Sequence, residues 1–248
     1  MNWILIYENE LQENLFVNLT DQRHTHIQTV LKKNLEDQIQ VVIPSLGNFL
    51  FKIKTFSDSS TTVEKLNLLP DVLEPLPIHT FFSLPRPQTG KKLLHLAGAY
   101  GVYSVYFYAT ETKNKEYWTS PVYTKETLSH LETGLSQTGN CRLPSVIQEK
   151  SFLWKNFLKD WKGQVLVLDR EGTNFHSLLK AETELLDNCL FVFGPESGWK
   201  PEDILFFHEN NFPLISLGKI NLRTEFAYSA LLHQLFSIRN SFHLKLKI

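Results

Sequence analysis

One stretch, LFVFGPESGWKPEDILFFHENNFPLISLGKINLRTEFAYSALLHQL from Leu190 to Leu235, constrains the fold more than any other. It reads as strand, glycine-bearing loop and helix, and then as the same three units again. Each loop follows the carboxyl end of an apolar run, where open α/β sheets place their ligands. In Gly194-Pro195-Glu196-Ser197-Gly198, two glycines remove side-chain bulk and let backbone N–H groups approach a ligand. Pro201 suits the first turn of the next helix, and Glu202 and Asp203 complement its positive end. The second loop, Ser216-Leu217-Gly218, runs on to Leu222-Arg223-Thr224-Glu225, and Phe226, Ala230, Leu231, Leu235 and Ile238 then recur at helical spacing. Two such loops so close together predict a small-molecule pocket. Ordinary βα turns are the alternative reading for either loop alone.

Upstream, the chain divides in two. Trp3–Tyr7, Gln38–Ile43, Asn48–Phe56 and Thr61–Leu66 read as strands, with Pro44-Ser45-Leu46-Gly47 turning a hairpin. A helix opens at Asp21-Gln22-Arg23-His24, carries Ile27, Val30 and Leu31 on one face, and ends in Lys32-Lys33-Asn34. These elements predict a small β-barrel over residues 1–70. Arg23, His24, Lys32, Lys33, Lys52 and Lys54 form a local basic strip that could face phosphates or be a solvated surface. Leu69 to Pro77 holds three prolines and marks the boundary. From 71 to 248 strands and helices alternate, the pattern of a largely parallel, doubly wound sheet. Its predicted helices are Lys91–Tyr100, Lys125–Leu135, Phe152–Trp161 and Thr173–Leu186. The predicted strands include Ile78–Ser83, Tyr103–Ala109 and Gln164–Leu168, with an irregular loop at Glu116–Pro121. The alternating tail Phe242–Ile248 reads as an edge strand.

Several classes are disfavoured. The chain has 248 residues and a formal net charge of −1, which argues against massive non-specific nucleic-acid binding but leaves room for a local basic strip. Its apolar runs are too short to cross a bilayer, and Met1-Asn2-Trp3 opens no signal peptide. Two cysteines, Cys141 and Cys189, make no disulfide framework and fit a reducing cytoplasm. The histidines lack metal-ligand spacing, so no metal is expected, and no membrane partner. GxGxxG, GxxxxGK[ST] and GxSxG are absent. Cys141 lacks a recognisable catalytic partner.

With both loops in view, the sequence resembles the SPOUT superfamily of S-adenosylmethionine-dependent RNA methyltransferases, and within it the bacterial family that methylates N3 of a uridine in small-subunit (16S) ribosomal RNA. That family carries a GPEGG loop followed by a run like SLGxxILRxETA. Here they are Gly194-Pro195-Glu196-Ser197-Gly198 and Ser216-Leu217-Gly218-Lys219-Ile220-Asn221-Leu222-Arg223-Thr224-Glu225-Phe226-Ala227. The likeness extends to Gln164–Leu168, to Gln137-Thr138-Gly139 with Arg142 and Pro144, to Leu84-Pro85-Arg86-Pro87, and to Arg23-His24 and Val30-Leu31-Lys32. It covers nearly the whole chain. Departures are Ser197 for glycine, Phe226 for threonine, Ile220 where arginine is common, Ser136 at an acidic position and Asn140 at an arginine position.

The resemblance implies a PUA-like β-barrel for RNA binding (1–70), a trefoil-knotted SPOUT domain (71–248), S-adenosylmethionine as cofactor, ribosomal RNA as partner and a homodimer. It implies a cofactor site at Leu168, Phe193, Gly194, Pro195, Glu196, Gly198, Ser216, Leu217, Gly218, Ile220, Leu222 and Thr224, and RNA contacts at Arg23, His24, Lys32, Lys33 and Arg86. Uridine N3 carries a proton at neutral pH, so methylation needs a base and a cation to stabilise the uracil anion. Glu196 and Arg223 are the candidates, with Arg142 contacting RNA phosphate or base. Helix or loop capping is the alternative role for Glu196 and Glu225, and a salt bridge for Arg142. Other readings are a SPOUT methyltransferase of another RNA position, such as a tRNA ribose, or an RNA-binding protein of the ribosome without catalysis.

Overall fold

The computed structural model describes residues 3–12, 15–70, 73–111, 115–177 and 188–245. Two sheets organise them. The first has the order β1-β3-β4-β5-β2, from β1 (Trp3–Leu5), β2 (Phe16–Leu19), β3 (Gln38–Ile43), β4 (Gly47–Phe56) and β5 (Thr61–Leu68). Only β1 and β3 run parallel, and the sheet curls into a half-barrel. The expected hairpin is present, with Ile43 opposite Gly47. β2 was not anticipated, although Val17 and Leu19 alternate inward from Asn18. Its inward residues join Ile4, Ile6, Val41, Phe51, Ile53 and Val63 in one apolar core, which Ile27 of α1 (Gln22–Thr29) plugs.

The second sheet is wholly parallel, in the order β11-β9-β10-β6-β7-β8. Its strands are β6 (Ile78–Ser83), β7 (Ser104–Tyr108), β8 (Ser145–Glu149), β9 (Val165–Asn174), β10 (Cys189–Phe193) and β11 (Leu214–Ser216). A parallel sheet covered on both faces calls for strands apolar on both sides, and all five residues of β10 are buried. Cys189, Phe191 and Phe193 pack against α2 (Pro87–Tyr100), α4 (Thr127–Thr138) and α7 (Thr224–Lys245). Leu190 and Val192 face α5 (Trp154–Asp160) and α6 (Pro201–Glu209) on the other side. Between them, the single-turn α3 (Pro121–Thr124) and the 3₁₀ turn Lys115–Thr119 occupy what the sequence suggests is an irregular loop.

Four local expectations are corrected. Helix α1 stops at Thr29, because Lys32 takes a left-handed φ of 50° and the Leu31 amide turns back to the His26 carbonyl. The cations Lys32 and Lys33 therefore lie beyond the helix, not in its last turn. Thr173 and Asn174 belong to β9, where they pair with Ile215 and Ser216 of β11. The rest of that predicted helix, beyond residue 177, lies outside the described residues. The tail strand is not formed over 242–245, because α7 meets no breaker and runs through Lys245, while 246–248 lie outside the described residues. β8, at the far edge, went unrecognised because its five residues alternate only weakly.

Two glycines set how closely α2 and α4 cross. A Cβ on Gly98 would stand 2.2 Å from the Leu131 carbonyl oxygen, and one on Gly134 the same distance from that of His95. Neither backbone can yield without moving a whole helix. Gly98→Ala and Gly134→Ala are each expected to lower stability by about 1–3 kcal/mol, read from the midpoint of urea unfolding. Wild-type midpoints in both would remove this account of the crossing.

Candidate functional site

The chain departs from β6 toward β7 and β8 on one side, and from β10 over β9 to β11 on the other. β6 and β10 are paired neighbours, so the loops that follow them diverge. Such a topological switch point leaves a crevice at the carboxyl ends of the strands. Phe82 lies opposite Phe193, and directly beyond this last rung come Leu84-Pro85-Arg86 and Gly194-Pro195-Glu196. An ion pair joins the two loops, with Arg86 Nη2 2.8 Å from Glu196 Oε2. Ser197 Oγ donates to Glu111 Oε1 at 2.8 Å, tying the same loop to the end of β7. A cleft of about 650 Å³ opens here.

The first glycine loop is held from below. Gly194 leaves room for the Trp199 indole, which a Cβ would meet at 2.7 Å. Trp199 Nε1 donates to the Leu168 carbonyl at 3.2 Å, fixing the point where β9 breaks register between Val167 and Thr173. Gly198 has φ 83°, and a Cβ there would meet nothing within 4 Å. The second loop repeats the device. Gly218 has φ 122° with open space at its Cβ position, and its amide donates to Ser216 Oγ at 3.2 Å. Phe193 and Ser216 are buried, and Leu168 and Leu217 pack against the same core. Left-handed glycines beside open space, with apolar walls behind them, fit a ligand that lies against backbone. Pro195 and Thr224 stand at the edges of the same two loops.

Behind the second loop, Glu225 is buried and accepts from Lys92 Nζ at 3.0 Å. Burial pushes its carboxyl up, but hydrogen bonds from its own backbone amide and from Lys92 prevail and hold it below the usual range. Glu225 thus anchors the head of α7 to α2. Arg223, two residues earlier, is exposed and makes no ion pair among the described residues. Ile220, Leu222 and Phe226 are exposed apolar side chains on the same segment, Ile220 at 76%.

Residues 72–235 match the family of RNA methyltransferase domains. This chain belongs to that family. The RNA methyltransferase is also similar along 93% of its length to the ribosomal RNA small subunit methyltransferase E of Treponema pallidum, at 26% identity over 88% of that protein. The ribosomal RNA small subunit methyltransferase E 1 of Borreliella burgdorferi is 24% identical over 92% of this chain and 94% of its own. Among solved structures, a ribosomal RNA small subunit methyltransferase E from Neisseria gonorrhoeae, bound to S-adenosyl methionine, shares the fold. That match has a TM-score of 0.76 and 18% identity, and covers 96% of this chain and 98% of the other.

The structure of the RNA methyltransferase sorts the residues proposed from sequence. It brings Arg86 and Glu196 together, and it gathers the glycine-loop residues at the carboxyl edge of the sheet. It does not bring Arg142 there. Arg142 precedes β8 and stacks on Tyr103, 4.2 Å from the ring centre, at the amino edge. One strand length, about 17 Å, separates it from the cleft within the protomer. Nor are Arg23 and His24 available as RNA contacts. Arg23 spends its guanidinium on Glu10 (2.6 Å), Asp21 (2.6 Å) and the Leu5 carbonyl (2.9 Å). His24 is buried, bonded to Thr61 Oγ1 at 2.7 Å and the Asp58 carbonyl at 3.2 Å. Lys52 pairs with Glu36, and Lys54 with Glu64 at 3.4 Å. Of the lysines and the arginine in the expected basic strip, Lys32 and Lys33 alone form no ion pair among the described residues. Carboxylates match the other three.

The departures also find roles. Asn140 is buried beneath Gly101, where its Oδ1 accepts from the Arg142 amide at 2.9 Å. Ser136 Oγ donates to the Glu132 carbonyl at 2.8 Å. Cys189 is buried in β10, and burial pushes its thiol up to about 12, so it is not a nucleophile at neutral pH. Sequence reading missed Glu111, Tyr117, Trp118, Lys150 and Phe152, which line the cleft from three separate segments. Only the parallel order of β6, β7 and β8 reveals that they meet.

The Arg23 cluster generates a pH prediction. Burial pushes Glu10 up, but hydrogen bonds from Arg23 and the Tyr7 amide outweigh it; for Asp21 the Arg23 hydrogen bond is the main cause, and both carboxyls titrate low. Their contribution is complete above the usual carboxylate range near pH 4 and is lost as pH falls through the depressed values. Arg23→Ala should therefore cost about 1–3 kcal/mol at pH 7 and much less near pH 2. A cost independent of pH in denaturant titrations would count against the cluster.

Proposed function

We propose that this RNA methyltransferase uses S-adenosylmethionine to methylate N3 of a uridine in small-subunit (16S) ribosomal RNA, with residues 1–70 binding RNA and 71–248 carrying the chemistry. The observation that carries the reading is the pair of left-handed glycines, Gly198 and Gly218, beside open space at the carboxyl ends of β10 and β11, the parallel strands on either side of β9. The names of the Treponema pallidum and Borreliella burgdorferi relatives, which align with nearly the whole chain, support the ribosomal substrate.

S-adenosylmethionine, when bound, supplies a methyl group activated by its positively charged sulfur. The protein's own residues then have three tasks. Leu168, Phe193 and Leu217 exclude water, so that charges act in a low-dielectric setting. Glu196 accepts the N3 proton, its carboxylate held in place by Arg86 at 2.8 Å. Arg223, exposed and forming no ion pair among the described residues, stabilises the negative charge that spreads onto the uracil carbonyls. Arg142 reaches RNA from the amino edge. We propose that a second copy covers Ile220, Leu222 and Phe226, giving a homodimer. Their exposure supports that reading.

Arg223→Ala is expected to lower kcat by about 10²–10³-fold, and Glu196→Gln by about 10²–10⁴-fold, with thermal midpoints unchanged. Reverse transcription on ribosomal RNA from a deletion strain should lose one stop, because N3 methylation blocks base pairing. An unaltered stop pattern would rule out the uridine-N3 assignment. Calorimetric titration with S-adenosylmethionine that releases no heat would leave an RNA-binding protein without catalysis. In light scattering at micromolar concentration, twice the 28.8 kDa chain mass is expected; a monomer removes the dimer.

A further inference from the structure

The cleft at the switch point has walls unlike those of a packed core. Its volume of about 650 Å³ lies within the range of small-molecule sites. Backbone bonds fix its floor: the Leu84 amide donates to Tyr108 at 2.9 Å and the Ala109 amide to Glu149 at 3.1 Å, extending the β6–β7–β8 ladder past the strand ends. Ser83 and Thr110 join their hydroxyls across that floor. Tyr117 and buried Trp118 form an aromatic wall, held in place as Tyr123 donates to the Pro85 carbonyl at 2.7 Å. At the mouth stand Lys150, with no ion partner among the described residues, and Phe152, which is 46% exposed.

An exposed ring beside an uncommitted ammonium is the pairing used for single-stranded nucleic acid, where the ring stacks a base and the cation takes a phosphate. On the side of the cleft formed by the two loops, the exposed Arg86–Glu196 pair offers donors next to an acceptor. Uracil presents the complement, an N3–H donor between two carbonyl acceptors. Cytosine presents an acceptor at N3 and would meet a carboxylate that can only accept. A base read along that edge must be unpaired.

We propose that this cleft receives the acceptor nucleotide, an unpaired uridine stacked on Phe152, with its phosphate on Lys150 and its pairing edge on Arg86 and Glu196. The proposal rests on the methyl-transfer reading of the adjoining glycine loops. It assigns to Lys150, Phe152 and Tyr117 a part in RNA recognition, and it makes the Ser197–Glu111 hydrogen bond a strut that keeps the cleft wall in place.

The test uses the full chain and a single-stranded fragment of small-subunit ribosomal RNA carrying 4-thiouridine. Irradiation is expected to crosslink Tyr117 or Phe152. Phe152→Ala and Lys150→Ala should each weaken RNA binding about tenfold, leave calorimetric S-adenosylmethionine affinity unchanged, and be rescued in the second case by Lys150→Arg. A crosslink outside the cleft, or unchanged RNA affinity in both variants, overturns the proposal. So does a changed oligomeric mass in Phe152→Ala, which would assign the ring to a protein contact. Methyl transfer with a crosslink elsewhere removes the cleft alone. A crosslink in the cleft without S-adenosylmethionine heat removes the methyl-transfer reading and keeps the cleft.

Discussion

The parallel pairing of β6 with β10 is the constraint on which the rest depends. These strands are more than a hundred residues apart in sequence, yet Ile78–Phe82 and Cys189–Phe193 run in register along their whole length. Because connections leave the pair in opposite directions, the loops beyond it part and a crevice remains. Arg86 and Glu196 meet across that crevice. The stacked rings of Phe82 and Phe193, 4.8 Å apart, and Tyr228 edge-on to both, hold the rung immediately beneath. The crevice therefore stands on a buried aromatic rung of the core.

Charge placement divides along the same lines. Around the half-barrel, cations that look available for phosphate are mostly matched by carboxylates, as with Arg23 between Glu10 and Asp21. Lys150 at the cleft and Arg223 beyond the second glycine loop form no ion pair among the described residues. A near-neutral chain can thus still present cations to a polyanion, provided that folding leaves the right ones unmatched. The two sheets are joined by specific contacts as well. Tyr7 donates to Glu132 of α4 at 2.5 Å, the Ser45 amide donates to the Cys141 carbonyl at 2.8 Å, and Trp3 lies against left-handed Gly139, where a Cβ would stand 2.4 Å from its ring. These contacts set the half-barrel at the amino edge of the parallel sheet, the edge that carries Arg142.

Sequence alone determined the paired glycine loops, the alternation of strands and helices after Ile78 and the hairpin at residues 44–47. These are local properties: apolar period, proline and glycine placement, and helix ends leave their mark within a few residues. The tertiary structure decided the strand order, the pairing of Arg23 with carboxylates and the burial of His24, the separation of Arg142 from Glu196, and the meeting of Glu111, Tyr117, Lys150 and Phe152 in one cleft. Each of those depends on which strand lies beside which, and parallel pairing between distant segments leaves no periodic trace in the residues that it brings together.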